Sequence, residues 1–281
     1  MTRTLLVGPF WGEFGFQVAL WAPHARARSR AFDRTIVACE QGHQALYDDF
    51  ATDFIIAPIP AEVVVRDCEF GHTTTALGTR APKVEPPRLA ECDEWLHPHR
   101  LREVMVWNHE QLMHIPGLWQ PKDWRPRFMG SWNTVVIHAR SPFKQPIKSW
   151  PLEKWQEIVD RLYKHAIAHV VVACGTTEGA FHVERCASLH DNSVADLSSQ
   201  LRVARLMIGP SSGPLALASH HGVPCVWWAN RDQPAEQLYA TEGRVGACWN
   251  PKGITHFRAA DTWDPSVDEV WSAVEAALSI S

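Results

Sequence analysis

The chain has 281 residues, of which 46% are hydrophobic and 21% charged, and its formal net charge is −4. These values exclude wholesale disorder and a purely electrostatic nucleic-acid binder. The length suits two domains of about 130–150 residues, with one large domain as the alternative. Seven cysteines without a CxxC pair indicate reduced thiols rather than a disulfide framework or a zinc site. Because the sequence has no signal peptide and no apolar stretch of about 18 residues, we expect a cytoplasmic protein without an integral membrane segment.

In the first half of the chain, short apolar runs alternate with helical patterns. The predicted elements are, in order, a strand at Thr4–Val7, a helix over residues 15–31, a strand at Thr35–Cys39, a short helix at Gln44–Phe50 and strands at Phe54–Ile56 and Val104–Trp107. Pro23 is expected to kink or divide the first helix. Residues 57–100 have weak periodicity and indicate loops and short elements. A strand–helix–strand rhythm of about 30 residues is typical of a parallel sheet.

A second series of the same kind begins at Thr134. It comprises, in order, a strand over residues 134–140, a helix from Pro151 to Leu162, a strand at His169–Cys174, helices at Ala180–Leu189 and Leu201–Leu206, a strand through Met207 and Ile208, a helix at Leu215–His221, a strand at Pro224–Trp228 and a last helix capped by Ser266. Aperiodic residues 117–127 form the predicted linker. We therefore predict an α/β protein with two Rossmann-like domains, residues 1–125 and 126–281, which face across a cleft and bind ligand at the carboxyl ends of their strands.

The most informative segment is a turn between a buried strand and a helix of small residues, formed by Ser211, Ser212, Gly213 and Pro214. Backbone N–H groups at the start of such a helix, together with the serine hydroxyls, make an anion site suited to a phosphate. A tight turn that merely requires small residues is the alternative. The sequence contains neither a GxGxxG nor a P-loop pattern.

Three cations follow the first strand of the second half, namely Arg140, Lys144 and Lys148. At the mouth of a cleft and opposite a helix N-terminus, they would suit a diphosphate. Ordinary surface charge is the alternative, and it explains Lys144 equally well. His138 lies inside the strand pattern, and we interpret it as a core histidine.

The order of these motifs resembles the donor-binding domain of GT-B glycosyltransferases, and most closely the ADP-heptose lipopolysaccharide heptosyltransferase family. The likeness rests on Lys148-Ser-Trp-Pro151, on Gly175-Thr-Thr177 and on Ser211-Ser-Gly-Pro214. Ser211 and Ala216 stand where that family has Asp and His. The resemblance therefore implies a fold of the GT-B type.

This resemblance also implies a nucleotide-sugar donor on the second domain. Its diphosphate would be bound by Arg140, Lys144, Lys148, Ser211, Ser212, Gly213 and Pro214. Its nucleoside and sugar would lie against Gly175, Thr176, Thr177 and Glu236, with Asp232 competing for the role of Glu236. The resemblance implies no cofactor and no metal, since the cations and the helix end would neutralise the leaving diphosphate.

In the first half, the loop Gly12-Glu13-Phe14-Gly15 matches a Gly-Asp of the same family, whose Asp serves as the general base. The resemblance implies that Glu13 deprotonates the acceptor hydroxyl as it attacks the anomeric carbon. We expect the aromatic surroundings to raise the pKa of Glu13. A glutamate that favours a helix N-terminus is the alternative. The predicted acceptor loop comprises Phe10, Trp11, Gly12, Phe14 and Gly15.

The start of the chain also resembles bacteriophage-encoded glycosyltransferase-like proteins that are associated with sugar addition to hydroxymethylated pyrimidines in DNA. The likeness lies in residues 8–16, 35–43 and 46–50. It implies duplex DNA as a partner, a flipped base that stacks on the aromatic loop, and phosphate contacts from Arg26, Arg28, Arg30 and Arg34. A solvated helix face is the alternative for these arginines. A phage-encoded protein would act in the host cytoplasm.

We therefore expect a glycosyltransferase that moves a hexosyl or pentosyl group from a nucleotide sugar to an acceptor hydroxyl. The first expected acceptor is 5-hydroxymethyl-pyrimidine in phage DNA, and lipopolysaccharide or another glycan is the second. A sugar-nucleotide epimerase or hydrolase is a rival enzyme class. The residues at 211 and 216 favour a further alternative, a non-catalytic module that binds sugar nucleotides or nucleic acid.

Overall fold

The computed structural model of the protein describes residues 2–10, 12, 14–57, 88–98, 121–124, 133–143, 146–230 and 249–279. The chain divides into two compact units, the first formed by Met1–Asp123 with Ser193–Ala195 and the second by Trp124–Asn192 with Asp196–Ser281. Within the described ranges, no helix is both long and apolar enough to cross a membrane. The cysteines in these ranges are free thiols, at positions 39, 92, 174, 186 and 225. The predicted strand at Val104–Trp107 and most of the predicted linker lie outside the described residues.

The first unit contains a parallel sheet with strand order β3-β2-β1-β4. Its strands are β1 (Thr4–Val7), β2 (Arg34–Cys39), β3 (Asp53–Ile56) and β4 (Glu94–Leu96). β1 is buried along its whole length, as continuous apolar strands in parallel sheets usually are. The helix predicted at Gln44–Phe50 is wrong, because only a 3₁₀ turn forms at Gln44–Leu46. The Arg26 side chain donates a hydrogen bond to the Leu46 carbonyl and so takes an acceptor that a longer helix would need.

The helical segment after β1 changes its hydrogen-bond pattern along its length. α1 (Phe14–Phe16) continues into a π-helical turn at Gln17–Trp21 and then into α2 (Ala22–Ser29). The Ala22 N–H donates to the Gln17 carbonyl, five residues earlier. Pro23, which has no N–H to donate, lies in the first turn of α2. The predicted helix is confirmed in the described residues, and the change from π- to α-helix falls beside Pro23.

The second unit contains a six-stranded parallel sheet with strand order β10-β9-β8-β5-β6-β7. The strands are β5 (Thr134–Ile137), β6 (Val170–Gly175), β7 (Ala187–His190), β8 (Ala204–Pro210), β9 (Cys225–Trp228) and β10 (Phe257–Ala260). The helices between and after them are α3 (Leu152–Lys164), α4 (Val194–Val203), α5 (Gly213–His220) and α6 (Val267–Ser279). Two parallel sheets with intervening helices confirm the predicted α/β fold.

Two predicted helices of the second unit are wrong in detail, and one strand was missed. The helix predicted at Ala180–Leu189 is not formed, since β7 occupies its last residues and the Phe181 N–H donates to the Ala139 carbonyl at 2.6 Å. The helix predicted at Leu201–Leu206 ends at Val203, because the following residues pair with β5 as part of β8. β10 was not predicted, since this half-buried edge strand has a weak apolar pattern.

A cluster of three fully buried tryptophans lies in the core of the second unit. Trp150, Trp155 and Trp228 have ring centroids 5.0–5.5 Å apart. The Trp150 indole donates a hydrogen bond to the Pro265 carbonyl at 2.8 Å. The cluster therefore joins the segment before α3, α3 itself, the end of β9 and the start of α6.

Candidate functional site

The carboxyl ends of β5, β6, β8 and β9 lie at the same edge of the second sheet, because the strands are parallel neighbours. Four loops leave the sheet at this edge, and they begin at His138, Thr176, Ser211 and Ala229. The fold thus brings Arg140 and the turn Ser211–Pro214 to the end of the sheet at which α/β proteins bind ligands.

Hydrogen bonds to the loop after β6 fix the loop after β5. The Ser141 N–H donates to the Gly179 carbonyl at 3.0 Å, and the Ser141 hydroxyl donates to the Glu178 carbonyl. The Arg140 carbonyl accepts a hydrogen bond from the Ser149 hydroxyl at 3.0 Å. Arg140 is half-buried, and its backbone forms a bridge with Ala180. The backbone that carries the Arg140 guanidinium is therefore well supported.

The turn Ser211–Pro214 joins β8 to α5. The Ser211 N–H donates to the Trp228 carbonyl at 3.0 Å, which ties the turn to the end of β9. Ser212 is the N-cap residue of α5, and Pro214 lies in the first turn. The Ser212 side chain makes no capping hydrogen bond to the helix. The first N–H groups of a helix have no partner within the helix, so this end of α5 carries partial positive charge and suits an anion.

The Ser212 hydroxyl lies 2.9 Å from Nδ1 of His138, the first residue after β5. The His138 side chain is buried, and burial lowers its pKa to about 3, with the charges of Arg140 and His190 acting in the same direction. His138 is therefore neutral at physiological pH. The sequence pattern predicts His138 inside the strand, whereas β5 ends at Ile137, and nothing in the sequence indicates the contact with Ser212.

Gly175, Thr176 and Thr177 lie at the end of β6, as predicted. The Asp191 carboxylate accepts hydrogen bonds from the Thr177 N–H, at 3.0 Å, and from the Thr177 hydroxyl, and these bonds lower the pKa of Asp191. The Thr176 hydroxyl accepts a hydrogen bond from the Gly179 N–H at 2.9 Å. Both threonines thus shape the loop, and their contact with a nucleoside stays a prediction.

Lys148 lies at the end of a 3₁₀ turn before α3, and only 8% of the residue is exposed. Its ammonium nitrogen is 5.0 Å from the centroid of the Trp263 ring, within the range of a cation–π contact. Lys148 is therefore a buried side chain whose ammonium group lies over an aromatic ring. Lys144 and Glu236, the other predicted donor residues, lie outside the described residues.

In the first unit, the predicted acceptor loop is described only in part, since Trp11 and the predicted base Glu13 lie outside the described residues. Phe10 is 1% exposed and stacks on Trp21 with ring centroids 5.7 Å apart. The prediction that Phe10 stacks on an extruded base is therefore wrong, because its ring is part of the core. Gly12 is half-buried and Gly15 is buried in α1. The ring centroids of Phe14 and His43 are 5.3 Å apart.

Three of the four arginines predicted to contact DNA are engaged by carboxylates of the first unit. Arg26 is buried and binds both carboxylate oxygens of Asp49, at 2.6 and 2.9 Å. Arg28 binds Glu94 through two nitrogens, and Arg34 lies 3.4 Å from Asp53. Arg30 is exposed. The prediction is wrong for Arg26, because a buried and paired guanidinium does not reach a DNA phosphate.

Clusters of three or more His, Cys, Asp or Glu side chains arranged as metal ligands do not occur among the described residues. At the carboxyl edge of its sheet, the second unit thus brings together Arg140, the N-terminus of α5 and the His138–Ser212 pair.

Two successive α/β units, each with a parallel sheet, define the fold of the GT-B glycosyltransferases. Solved structures of this kind match almost the whole chain. ADP-heptose lipopolysaccharide heptosyltransferase II of E. coli is 13% identical with a TM-score of 0.58, and 99% of each chain is covered. The glycosyl transferase family 9 protein of Veillonella parvula is also 13% identical with a TM-score of 0.55, and the match covers 100% of this chain and 98% of that one.

The E. coli heptosyltransferase WaaC, solved with ADP, is 13% identical with a TM-score of 0.51, and the match covers 99% of this chain and 98% of that one. No protein-family model matches the sequence, and no curated protein matches it. At this level of identity, the similarity establishes the fold.

Proposed function

We propose that the protein is a glycosyltransferase that binds a nucleotide sugar on its second unit and transfers the sugar to an acceptor hydroxyl. The observation that carries this proposal is that Arg140 and the N-terminus of α5 follow the carboxyl ends of two neighbouring strands, β5 and β8, at the same edge of the sheet. A permanent cation and a helix N-terminus are suited to a diphosphate. The solved structures with the same fold include an ADP-heptose lipopolysaccharide heptosyltransferase and a heptosyltransferase solved with ADP, which supports a nucleoside diphosphate leaving group.

In this proposal, the binding residues also lower the barrier of the reaction. The bond between the anomeric carbon and the diphosphate breaks while the acceptor oxygen attacks, so negative charge develops on the diphosphate. Arg140 and the N–H groups of α5 stabilise that charge, supported by Ser211 and by Lys148 from its enclosed position. Lys144, Thr176, Thr177 and Glu236 complete the proposed donor site. Hexosyl or pentosyl transfer without a metal is part of the proposal.

Glu13 is the proposed general base, and a single carboxylate base suits inversion at the anomeric carbon. Replacing it with the isosteric amide tests this role. Glu13→Gln is expected to lower turnover by about 10²–10⁴-fold while leaving donor affinity unchanged. Turnover at the wild-type rate would remove Glu13 from the mechanism.

A glycan hydroxyl of the lipopolysaccharide type is the acceptor class we favour. The ion pairs of Arg26, Arg28 and Arg34 weaken the main argument for hydroxymethyl-pyrimidine DNA, since paired guanidinium groups contribute little to binding a phosphate backbone. Duplex DNA as the acceptor requires binding that falls steeply with salt. Salt-dependent binding of hydroxymethylated duplex DNA, followed by sugar transfer to it, would reverse this preference.

The donor is tested first, by thermal unfolding of the purified protein with ADP, UDP, GDP, CDP and their common sugar conjugates. A ligand at 100 times its Kd should stabilise the protein by about 2.7 kcal/mol. Arg140→Gln should abolish that shift, whereas the matched change Arg30→Gln at an exposed arginine should preserve it. A folded wild-type protein that none of these nucleotides stabilises would refute the proposal.

Two other functions predict different outcomes in the same assays. An epimerase or hydrolase on this fold would consume the sugar nucleotide with no acceptor present. A binding module would bind it without consuming it. Ser211 and Ala216, where the resembling family has Asp and His, favour the module over the hydrolase.

A further inference from the structure

His138 and Ser212 form a polar pair that joins the end of β5 to the start of α5. Their Nδ1 and Oγ atoms are 2.9 Å apart although the residues are 74 positions apart in the chain. The Ser212 backbone has the extended conformation of an N-cap residue, with φ −160° and ψ 167°, yet its hydroxyl does not bond to the helix. The side chain that would normally cap α5 is thus bonded to His138 instead.

The His138 residue lies between two glycines on the strands that flank β5, Gly209 on β8 and Gly175 on β6. A Cβ atom at Gly209 would lie 3.3 Å from the His138 Cβ, and a Cβ atom at Gly175 would lie 3.4 Å from its Cδ2. The backbone N–H of His138 donates to the Ile208 carbonyl at 3.0 Å, which fixes the base of the side chain. The side chain is therefore buried between the two neighbouring strands, with Nδ1 directed at Ser212.

The chemistry of this pair depends on which nitrogen carries the proton. A neutral imidazole has one N–H donor and one acceptor nitrogen, and a serine hydroxyl has one O–H donor and two acceptor sites. If Nδ1 accepts, the only donor of Ser212 is used within the pair. If Nδ1–H donates, the Ser212 O–H is free to donate to another group. An anion at the start of α5 accepts hydrogen bonds and donates none, so it selects the second arrangement.

We propose that His138 is a positioning residue for the donor diphosphate. In the bound state its Nδ1–H donates to Oγ of Ser212, and this bond directs the Ser212 O–H onto a phosphate oxygen. This inference rests on the proposed function, because it requires a nucleoside diphosphate at the start of α5. It assigns a role to a histidine that the sequence indicated only as part of the core.

A double-mutant cycle tests whether the two residues act together. The Kd is measured for the nucleoside diphosphate among ADP, UDP, GDP and CDP that binds the wild-type protein most tightly. Ser212→Ala should weaken binding by about tenfold to a hundredfold, the loss expected for a hydrogen bond to a charged group. His138→Phe should weaken it by about two- to tenfold. In the Ser212→Ala background, His138→Phe should change the Kd by less than about twofold, since its effect passes through the hydroxyl.

Two further variants separate positioning from a structural role. His138→Asn keeps an N–H donor near the position of Nδ1 and should restore binding to within about twofold of wild type. Ser219 forms a second serine–histidine pair, since its hydroxyl lies 2.9 Å from Nε2 of His256. Ser219→Ala should therefore leave the Kd unchanged. Equal losses in Ser219→Ala and Ser212→Ala would overturn the inference, as would additive effects of the two changes in the cycle.

The tautomer supplies a readout that simple packing would not move. Long-range proton–nitrogen NMR spectra of ¹⁵N-histidine protein distinguish a protonated from an unprotonated ring nitrogen, and His138→Asn identifies the signals of His138. With the nucleotide at saturation, Nδ1 of His138 should be protonated and Nε2 unprotonated. An unprotonated Nδ1 in the complex would overturn the inference while leaving the proposed function intact. A wild-type protein that binds none of the four nucleotides would instead refute both.

Discussion

Lowering the pH should destabilise the second unit through His256. Its Nδ1 accepts a hydrogen bond from the Cys225 N–H at 3.2 Å, so the proton of the neutral ring is on Nε2, which lies 2.9 Å from the Ser219 hydroxyl. A second proton would have to bind to Nδ1 and would break the bond to the backbone. Burial lowers the pKa of His256 to about 4 from an ordinary value of 6.5.

The sign and size of the effect follow from proton linkage. Because the unfolded chain binds the proton at higher pH than the folded protein does, stability is full above pH 6.5 and is lost as the pH falls towards 4. Between pH 7 and pH 5 the unfolded state gains about 2 kcal/mol from protonation of this one histidine, whereas the folded state gains almost nothing.

Urea unfolding at pH 7, 6 and 5, monitored by near-ultraviolet circular dichroism, measures this loss. His256→Gln keeps an amide near the position of Nε2 and removes the titrating group. The variant should be less stable than the wild type at pH 7, and that difference should shrink by about 2 kcal/mol at pH 5. A difference between the two proteins that stays constant across this range would refute the reasoning.

Three further predictions concern single contacts. Arg26→Met should destabilise the first unit by about 2–3 kcal/mol in urea unfolding, since it removes charged hydrogen bonds to Asp49, whereas Arg30→Met at an exposed site should change stability by less than about 0.5 kcal/mol. Equal effects would contradict the described pairing. Ser266→Ala should cost about 1 kcal/mol, because it removes the hydroxyl that accepts from the Glu269 N–H and donates to the Glu269 carboxylate in the α6 capping box, and Ser266→Thr, which keeps the hydroxyl, should recover most of that loss. Gly175→Ala should lower the thermal midpoint by several degrees, since φ is +143° there and the new Cβ would lie 2.5 Å from a neighbouring side chain. An unchanged midpoint would show that the loop relaxes.

Continuous apolar runs made the fully buried strands of the two sheets predictable. β1, β5 and β9 are buried along their whole length and are bounded by residues that end a strand, so their pattern is clear in the sequence. The segment from Ala180 to Leu189 misled the prediction because its structure depends on distant residues. Its backbone pairs with the loop after β5 and then with β6, and tertiary pairing of this kind overrides local preference.

The site was predictable to the extent that it follows from topology. Arg140 and the turn at Ser211 both follow strands of one parallel sheet, so their common edge could be deduced. The contact between His138 and Ser212 could not, since it depends on the direction of one ring nitrogen. The pairing of Arg26 with Asp49 was equally hidden, because side chains 23 residues apart meet only after the helix and the turn have packed.

The cluster of Trp150, Trp155 and Trp228 gives the second unit an optical signature of its own. Indole rings this close couple their electronic transitions and exchange excitation energy, so their circular dichroism and fluorescence anisotropy differ from those of isolated tryptophans. The Trp228 carbonyl also accepts the Ser211 N–H, which connects the cluster to the turn at the start of α5. The circular dichroism of this cluster should therefore report, without any label, a conformational change in that turn.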